Sequence, residues 1–513
     1  MTDLPPEPPV RPDITDTRAD DQMSRRVAKG AAWIASSRII MRLVGFVNTL
    51  VLARLLVPED FGVVAIGVAI MQLLQNVSDV GVSQAVIRFG NAERRHLDTL
   101  FTMSFIRGLI ILTLLCGLAP FAGHFYDDDR VAPIFVSLGI IALMFSSLNP
   151  KFFEFERDLD FSREFFISIM NKGMSVAVSV AVAYFYRSYW AIVLGLGAGA
   201  LTQLTLSYVL MPYRPRLTFS AFNEMLDFTG WLLGVSALAA LNNKTETLFL
   251  GRFVGKDGIG NYYMGQQLAI LPTIEVATPA ARAIYPGLNQ MQSDLGRMRL
   301  AFLRGAEALA MLAIPAAVGT AFIADDIIHL VLGQKWEDAI PVLRLMAPVN
   351  GLLSIYLSIQ AFAMARGMTK PVFFRELIFF LIKTPVFVWA AIEYGLIGAI
   401  WVSAISGLLY VLLQARLYRV ISGGRGWEPL WAGRRSFVGA AGISLYFVAI
   451  EPFIPGLAST PLVINVGINL VGAGLAYVAG VGAAWMIEGQ PDGVERQLLS
   501  LAGIRGKGAK NDA

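Results

Sequence analysis

Arg38 and Arg42 are the residues whose position in this sequence carries the most chemical information. They lie four residues apart near the middle of an apolar stretch, Ala31 to Leu56, that is long enough to cross a bilayer. A charged side chain at mid-membrane costs about 3 kcal/mol or more, so such residues usually face a protein interior or a watery cavity. Guanidinium groups can hold an anion through paired hydrogen bonds. The first stretch therefore predicts a cavity that accepts an anion.

Other cations lie inside predicted spans, and the acids that could neutralise them are fewer. The cations are Arg107, Lys172, Lys244 and Lys383, with Arg282 and Arg344 near span ends, where long side chains reach the headgroups. The acids are Asp79, Glu246 and Glu275, with Glu307 nearer an inner span end. A buried excess of positive charge is costly unless water or an anion enters, which favours an anion-accepting cavity. Ion pairs between helices, together with side chains that reach the headgroups, are the alternative.

Helical spacing groups several of these residues on polar faces. One face of the second span carries Gln72, Gln75, Asn76, Asp79 and Ser83, and the seventh span carries Asn242, Asn243, Lys244 and Glu246. Amide stripes can simply hold helices together, but this explains the amides better than the cations. We expect the substrate-binding residues to be Arg38, Arg42, Lys244, Asn243, Arg107, Lys172, Lys383 and Gln267, and the candidates for ion coupling to be Asp79, Glu246 and Glu275.

The composition is that of a polytopic membrane protein. Of 513 residues, 55% are hydrophobic and 16% are charged, with a mean hydropathy of +0.59, whereas soluble proteins carry about 25% charge. The sequence predicts an all-α protein with about 14 transmembrane helices. The expected spans are 30–54, 61–87, 98–122, 131–150, 162–186, 188–212, 228–250, 259–285, 304–324, 340–364, 371–392, 394–418, 436–453 and 461–487.

Basic residues predict the orientation of these spans. With the N-terminus inside, the outer loops hold only six: Arg54, Arg130, Arg187, Arg252, Lys256 and Lys335. The inner segments carry the rest of the loop cations, including the pairs Arg94–Arg95 and Arg434–Arg435. The positive-inside rule therefore predicts that both termini are cytoplasmic. Residues 1–28, which lack an apolar signal-peptide core, and 489–513 are expected to be cytoplasmic tails, the first of them disordered.

A weak internal repeat divides the chain. A shift of 198 residues superposes Arg54 on Arg252 and Gly62 on Gly260, among other matches in two corresponding hairpins. Six spans separate the copies, so the copies share one orientation, which is a recurrent transporter design with the substrate between the halves. We predict an N-terminal six-helix lobe at 29–212, a C-terminal six-helix lobe at 213–420 and two additional helices within 421–488.

The sequence contains none of the motifs that would indicate an enzyme. There is no P-loop, Ser-His-Asp grouping, metal-ligand spacing or dinucleotide fingerprint, and Cys116 is the only cysteine. We expect no catalytic activity, cofactor, metal or nucleic-acid partner. Acidic outer loops such as Asp127–Asp129 could assist a membrane glycosyltransferase. Without a large outer domain, however, these acids are expected to be solvated loop caps.

Three segments resemble the polysaccharide-transporter (Wzx-like) flippases of the multidrug/oligosaccharidyl-lipid/polysaccharide superfamily. Leu52–Gly62 (LARLLVPEDFG) resembles the first outer turn of that family, and Ile284–Leu288 (IYPGL), with Gln292 and Asp294, resembles the inner end of its eighth span. The third is Leu332–Trp336 (LGQKW), with Ala339, Pro341, Leu343 and Ala347–Pro348. The three segments occur in the family's order, and the resemblance covers about residues 25 to 485.

The resemblance implies two parallel six-helix lobes around a central cationic cavity in the cell inner membrane. It implies alternating access that moves an undecaprenyl-diphosphate-linked oligosaccharide repeat unit for exopolysaccharide, O-antigen or capsule assembly. The implied partners are this lipid-diphosphate-linked glycan, membrane lipids, a polysaccharide polymerase and export proteins. Family cavities meet the diphosphate with polar residues of spans one and seven, which here are Arg38, Arg42 and Lys244. The family's Asn-x-x-Asp is Asn243-Lys244-Thr245-Glu246 in this chain, which leaves the role of Glu246 open.

Other functions fit the sequence less well. A cation-coupled multidrug exporter of the same superfamily is the main alternative, but it would favour a cavity dominated by carboxylates. A membrane glycosyltransferase or polymerase would need large outer loops. A passive channel would not explain a two-fold repeat with proline-interrupted spans.

Overall fold

The computed structural model describes most of the chain. The described residues are 40–78, 94–153, 161–222, 230–278, 281, 291, 294–454, 460–491 and 494–496. Several residues singled out from the sequence lie outside them: Arg38, Asp79, Arg282, the segment 284–288 and the side chain of Glu275.

The helices within these ranges are numbered in chain order. The N-terminal half contains α1 (40–55), α2 (Pro58–Val77), α3 (Arg94–Tyr126), α4 (Val131–Ser146), α5 (Phe161–Tyr186) and α6 (Trp190–Val209). The C-terminal half contains α7 (Gly230–Phe253), α8 (Lys256–Ile270, continued by a π-helical turn at Leu271–Glu275), α9 (Leu295–Phe322), α10 (Ala324–Val331), α11 (Ile340–Ile355), α12 (Ile359–Ala365) and α13 (Thr369–Ser422). The chain continues with α14 (Glu428–Ala432), α15 (Arg434–Leu445, continued by a π-helical turn at Tyr446–Ile450) and α16 (Leu462–Ile487).

The apolar runs form helices because a backbone in hydrocarbon must bond its polar groups within its own segment. Nine described helical segments are long and apolar enough to cross a membrane, and α4 is a shorter apolar helix. Polar residues such as Asn242, Asn243 and Lys244 make α7 less apolar than these. The prediction of an all-α polytopic membrane protein is confirmed. The count of 14 spans stays a prediction.

The 54 residues of α13 correspond to the eleventh and twelfth predicted spans. An uninterrupted helix of this length would measure about 80 Å, far more than a bilayer is thick. The helix is broken at Gly395, where φ is 61° and ψ is −142°. Residues with a side chain avoid this backbone region, so glycine is required there. The break falls next to the boundary predicted between 392 and 394.

The largest apolar core joins the two halves. It contains Leu56 and Ile66 of the N-terminal half with Leu250 and Trp336 of the C-terminal half, all at most 1% exposed. Helix α2 packs against both α7 and α8 across this contact. These residues lie at the end of the molecule that the basic residues predict to be outer. The halves are therefore held together at that end.

The contact between the halves is reciprocal. A Cβ atom on Gly62 would overlap the backbone oxygen of Lys256, and a Cβ atom on Gly260 would overlap the backbone oxygen of Pro58. Position 62 corresponds to 260 and position 58 to 256 under the same shift of 198 residues that defines the sequence repeat. Each copy of the repeat thus contacts the equivalent point of the other. A two-fold relation between the copies requires this arrangement.

Helices α15 and α16 pack against each other and against α9. Ion pairs hold the group together, because Arg435 lies 2.6 Å from Glu307 of α9 and 2.5 Å from Glu495. Arg434 and Glu488 add a further pair at 2.7 Å. The two additional helices are therefore attached to the C-terminal half.

Candidate functional site

A buried ion pair lies inside the C-terminal half. The ammonium group of Lys383 on α13 is 2.9 Å from Glu246 of α7, and it donates to the backbone oxygen of Asn242 at 3.1 Å. The hydroxyl of Tyr262 on α8 donates to the other oxygen of Glu246 at 2.7 Å and also lies 2.8 Å from the hydroxyl of Ser403. Lys383 and Glu246 are two sequence-predicted site residues, and the structure brings them together.

A second buried ion pair adjoins the first. Arg375 contacts Glu376, and both are only 5% exposed. The side-chain amide of Asn242 donates to Glu376 at 2.7 Å, so Asn242 links the two pairs through its backbone and its side chain. Tyr410 donates to Glu376 at 2.7 Å, and Gln414 accepts from Arg375 at 2.7 Å. The network ties α7 to both arms of α13.

The sequence reasoning missed Arg375 and Glu376. The two residues lie inside the predicted span 371–392, close to the inner segment that precedes it. The signal was present, since adjacent opposite charges inside an apolar span indicate a buried pair. The excess of cations is consequently smaller on the C-terminal side than predicted, because Glu246 neutralises Lys383.

In the N-terminal half, two of the predicted cations belong to α1 and α5. Arg42 is an exposed residue of α1, and Lys172 is half-buried on α5. The ammonium of Lys172 packs against Gly45, where an added Cβ atom would lie 3.0 Å from it. Arg42 and Gly45 are three residues apart, so Arg42 and Lys172 lie on the same side of α1. A bond between Ser179 and Asn48, at 3.0 Å, fixes α5 against α1.

The other predicted residues have less specific surroundings. Lys244 of α7 is half-buried, whereas its neighbour Asn243 is exposed. Gln267 of α8 is exposed and lies 3.4 Å from the hydroxyl of Tyr263. Arg107 is half-buried on α3. Near a span end, Arg344 pairs with Asp325, and both side chains are about half exposed. The sequence predicted that the side chain of Arg344 would reach the headgroups; in the structure it forms a half-exposed ion pair with Asp325.

At the predicted outer end, each half caps a helix terminus of the other. Arg54, at the end of α1, donates to the backbone oxygens of Val331 at 3.2 Å and His329 at 3.3 Å, at the end of α10. Lys335 donates in return to the backbone oxygen of Arg54 at 3.0 Å and to that of Leu56. Cations stabilise helix C-termini, whose last carbonyl groups lack partners within the helix. The indole of Trp336 adds a bond to the backbone oxygen of Ala53 at 3.1 Å.

An acidic outer loop takes part in the same closure. Asp128 lies 3.0 Å from Lys256 of the other half and 3.1 Å from Arg130, which in turn contacts Glu59 at 2.5 Å. Burial raises the pKa of Asp128, but the bonds from Arg130 and Lys256 outweigh it and hold this pKa below the usual 3.8. The expectation of a solvated loop cap is therefore wrong for Asp128, which is 8% exposed.

Two of the three family-like segments meet in this closure. The first contributes Arg54 and Phe61, and the third contributes Lys335 and Trp336, whose ring meets that of Phe61 edge-on at 5.3 Å. A model of the family described as "Polysaccharide biosynthesis protein" matches residues 51–341, more than half of the chain. The chain belongs to this family. The predicted resemblance is confirmed.

Relatives of this chain have low sequence identity, but each match covers most of both chains. The lipopolysaccharide biosynthesis protein WzxC of Escherichia coli K12 is 25% identical over 74% of this chain and 78% of its own length. The succinoglycan biosynthesis transport protein ExoT of Rhizobium meliloti is 21% identical over 76% and 79%. The teichuronic acid biosynthesis protein TuaB of Bacillus subtilis is 22% identical over 76% and 82%.

Solved structures show the same fold. The lipid II flippase MurJ in an inward closed conformation superposes with a TM-score of 0.70 at 14% identity, covering 89% of this chain and 99% of that chain. A multidrug resistance MATE family transporter of the MOP superfamily, in its inward-facing conformation, gives a TM-score of 0.56 at 15% identity, covering 74% and 95%. This chain therefore has the fold of these transporters.

Proposed function

We propose that this protein is a flippase that moves an undecaprenyl-diphosphate-linked oligosaccharide repeat unit across the cell inner membrane. The observation that carries the proposal is a set of cations on membrane-embedded helices of both halves. They lie on the cytoplasmic side of the contact that closes the predicted outer end. Arg42 and Lys172 belong to the N-terminal half, Lys244 belongs to the C-terminal half, and the closure lies at the predicted outer end. The names of WzxC, ExoT and MurJ agree with a role in polysaccharide biosynthesis, transport and lipid-linked substrates.

In the proposed mechanism, the positive charges of the cavity compensate the diphosphate for the water that it loses on leaving the headgroup region. Arginine and lysine donors replace water around the phosphates, with Arg42 suited to a bidentate contact. The glycan stays in water between the halves while the prenyl tail remains in lipid. With the outer closure made, the substrate enters from the cytoplasmic side. Breaking the closure and rocking the halves then exposes the cations to the outer side, which is alternating access.

The energy source is proposed to be either ion exchange at Asp79, Glu246 or Glu275, or the membrane potential acting on the charge. Glu246 is already bound to Lys383, so a proton or metal cation would have to compete with that ammonium. Both termini are proposed to be cytoplasmic. The two six-helix lobes, 29–212 and 213–420, are proposed to be the moving units, with a polymerase and export proteins as partners.

The experiment that tests the proposal is complementation of a strain that lacks the gene. Arg42→Ala and Lys244→Ala are each expected to abolish export of the polysaccharide while the protein remains in the membrane at its normal level. Lipid-linked repeat units should then accumulate facing the cytoplasm. Lys370→Ala, which removes an exposed cation at the start of α13, is the matched control and should restore export.

Two results would contradict this function. One is full export by both Arg42→Ala and Lys244→Ala. The other is a drug-sensitivity phenotype of the deletion strain without a polysaccharide phenotype, which would indicate a multidrug exporter.

A further inference from the structure

A basic pocket of about 830 Å³ lies in the N-terminal half, at the end opposite the closure between the halves. Its lining includes Arg94 at the start of α3, Lys151 in the turn after α4, and Arg214 in the segment after α6. The tyrosines Tyr208 and Tyr213 also line it, and its lining within the described ranges contains no carboxylate, although Asp98 lies 3.8 Å from Arg94. The positive-inside rule assigns all three segments to the cytoplasmic face. The transport mechanism proposed above does not use this pocket.

Two of the cations are held beside one aromatic ring. The ammonium of Lys151 lies 5.4 Å from the centre of the Tyr213 ring, and the guanidinium of Arg94 lies 5.8 Å from it. Cations are attracted to such ring faces. Asp98 offsets part of the charge of Arg94 at 3.8 Å, but Arg94 and Lys151 still repel each other across the ring. An anion placed between them removes this repulsion. The arrangement is therefore suited to a phosphate group.

The pocket is built on fixed backbone. The Asp98 carboxylate accepts from the hydroxyl of Tyr213 at 2.7 Å and from the backbone nitrogen of Arg216 at 2.9 Å. The fully buried side chain of Asn149 donates to the backbone oxygens of Ser207 at 3.0 Å and Met211 at 2.7 Å. Burial and the bond to Asp98 raise the pKa of Tyr213, which therefore remains a neutral donor. The three segments that line the pocket are thus held in place without a ligand.

Exposed apolar side chains adjoin the pocket along the chain. Val209 and Leu217 are both 68% exposed, and Phe219 is 57% exposed. Leu217 and Phe219 belong to a segment without regular secondary structure, where large exposed apolar residues are unusual for a protein surface in water. They fit a segment that lies in the membrane interface. A ligand of this pocket would then carry acyl chains next to its anionic group.

We propose that this pocket binds the phosphate of an acidic phospholipid from the cytoplasmic leaflet, with the headgroup between Arg94, Lys151 and Arg214 and the acyl chains along the apolar residues. The diphosphate of a polyprenyl lipid shares this chemistry. The phospholipid is favoured because the pocket lies within one half and not between the halves. Phosphate oxygens would accept bonds from the guanidinium and ammonium groups. The site does not depend on which substrate the protein transports.

Native mass spectrometry of the purified full-length protein in a nonionic detergent tests the proposal. Phosphatidylglycerol, phosphatidylcholine, undecaprenyl diphosphate and inorganic phosphate are added separately. Phosphatidylglycerol is expected to bind best. The double variant Lys151→Gln/Arg214→Gln should weaken it roughly tenfold or more, because two charged donors are lost. Arg297→Gln removes an exposed cation on the same predicted face and should leave binding unchanged. The melting temperatures of the variants check that they remain folded.

Each other outcome counts against the proposal. If the wild type and the double variant retain phosphatidylglycerol equally, this lipid does not bind in the pocket. Equal binding of phosphatidylcholine would show that the anionic charge is not recognised. Loss of undecaprenyl diphosphate binding in the double variant, with phosphatidylglycerol unaffected, would assign the pocket to the polyprenyl diphosphate instead.

Discussion

Lys383 shows how a single neighbour changes the role of a charged residue. From the sequence it is one more deep cation available to an anion. In the structure it faces Glu246 at 2.9 Å, in a site where Tyr262 and Ser403 complete the hydrogen bonding. The attraction between two opposite charges is strong in such a dry environment, and each charge is costly alone. We therefore expect the ion pair with Glu246, and not a contact with substrate, to be the main role of Lys383.

A double-mutant cycle separates the structural role of this pair from its proposed role in coupling. Lys383→Met or Glu246→Gln alone should destabilise the protein by about 3–5 kcal/mol, because the remaining group is left buried without its partner. The double variant Lys383→Met/Glu246→Gln should recover most of this loss, as measured by melting temperature in detergent. If coupling needs Glu246, the double variant will be folded but inactive in export. Full export by the double variant would contradict the coupling role.

At the scale of helices, the most informative feature is the exchange of caps between α1 and α10. The two helices belong to different halves. Arg54, at the end of α1, caps the C-terminus of α10, and Lys335, which follows α10, caps the C-terminus of α1. The ammonium of Lys335 donates to two backbone oxygens at the end of α1, which are the groups that a helix terminus leaves unsatisfied. The caps add polar contacts to the apolar core that joins the halves.

Removal of one cap should loosen the outer closure. Lys335→Gln loses two bonds from a charged donor, each worth about 1.5–3 kcal/mol, so the open population should rise at least about tenfold. The reporter is Ala53→Cys in a Cys116→Ser background, because Ala53 is fully buried in the closure. Labelling by a membrane-impermeant maleimide should accelerate in Lys335→Gln. It should not change in Arg344→Gln, which removes a cation whose partner Asp325 belongs to the same half. Unchanged labelling in both variants would rule out the capping role.

For the whole molecule, two reciprocal contacts set how closely the halves approach: Gly62 against Lys256 and Gly260 against Pro58. Each glycine lies where any side chain would overlap a backbone oxygen of the other half. The N-terminal half contributes α2 and the C-terminal half contributes α7 and α8 to this contact. A movement that opens the outer end must separate these helices. The glycines therefore belong to the proposed cycle as well as to the packing.

Gly62→Ala and Gly260→Ala should have matching effects. Each should destabilise the closed outer end by about 1–3 kcal/mol through overpacking, and each should reduce export. Gly117→Ala on α3, where an added Cβ atom has no neighbour within 4 Å, is the control and should be neutral or slightly stabilising. Maleimide labelling of Ala53→Cys and an export assay measure the effects. A strong effect at one glycine and none at the other would contradict the two-fold relation.

The sequence by itself determined the all-α membrane architecture and pointed to the family. Both rest on local signals: apolar runs long enough to span a bilayer, and short segments such as Leu52–Gly62 and Leu332–Trp336. The sequence also predicted a boundary between spans within a few residues of the break at Gly395, because a 54-residue apolar run is too long for a single transmembrane helix. The weak repeat pairs position 62 with 260 and position 58 with 256, and in the structure Gly62 lies against Lys256 and Gly260 against Pro58.

Only the tertiary structure decided which charges are neutralised and by what. The pairing of Lys383 with Glu246, the bond from Asn242 to Glu376, and the closure through Lys335 each join residues of different elements. Helical periodicity shows which face of its own helix a residue occupies, but it contains no information on which helix that face meets. The cost of a buried charge depends on its neighbours within a few ångströms. Those neighbours are fixed only when the helices pack.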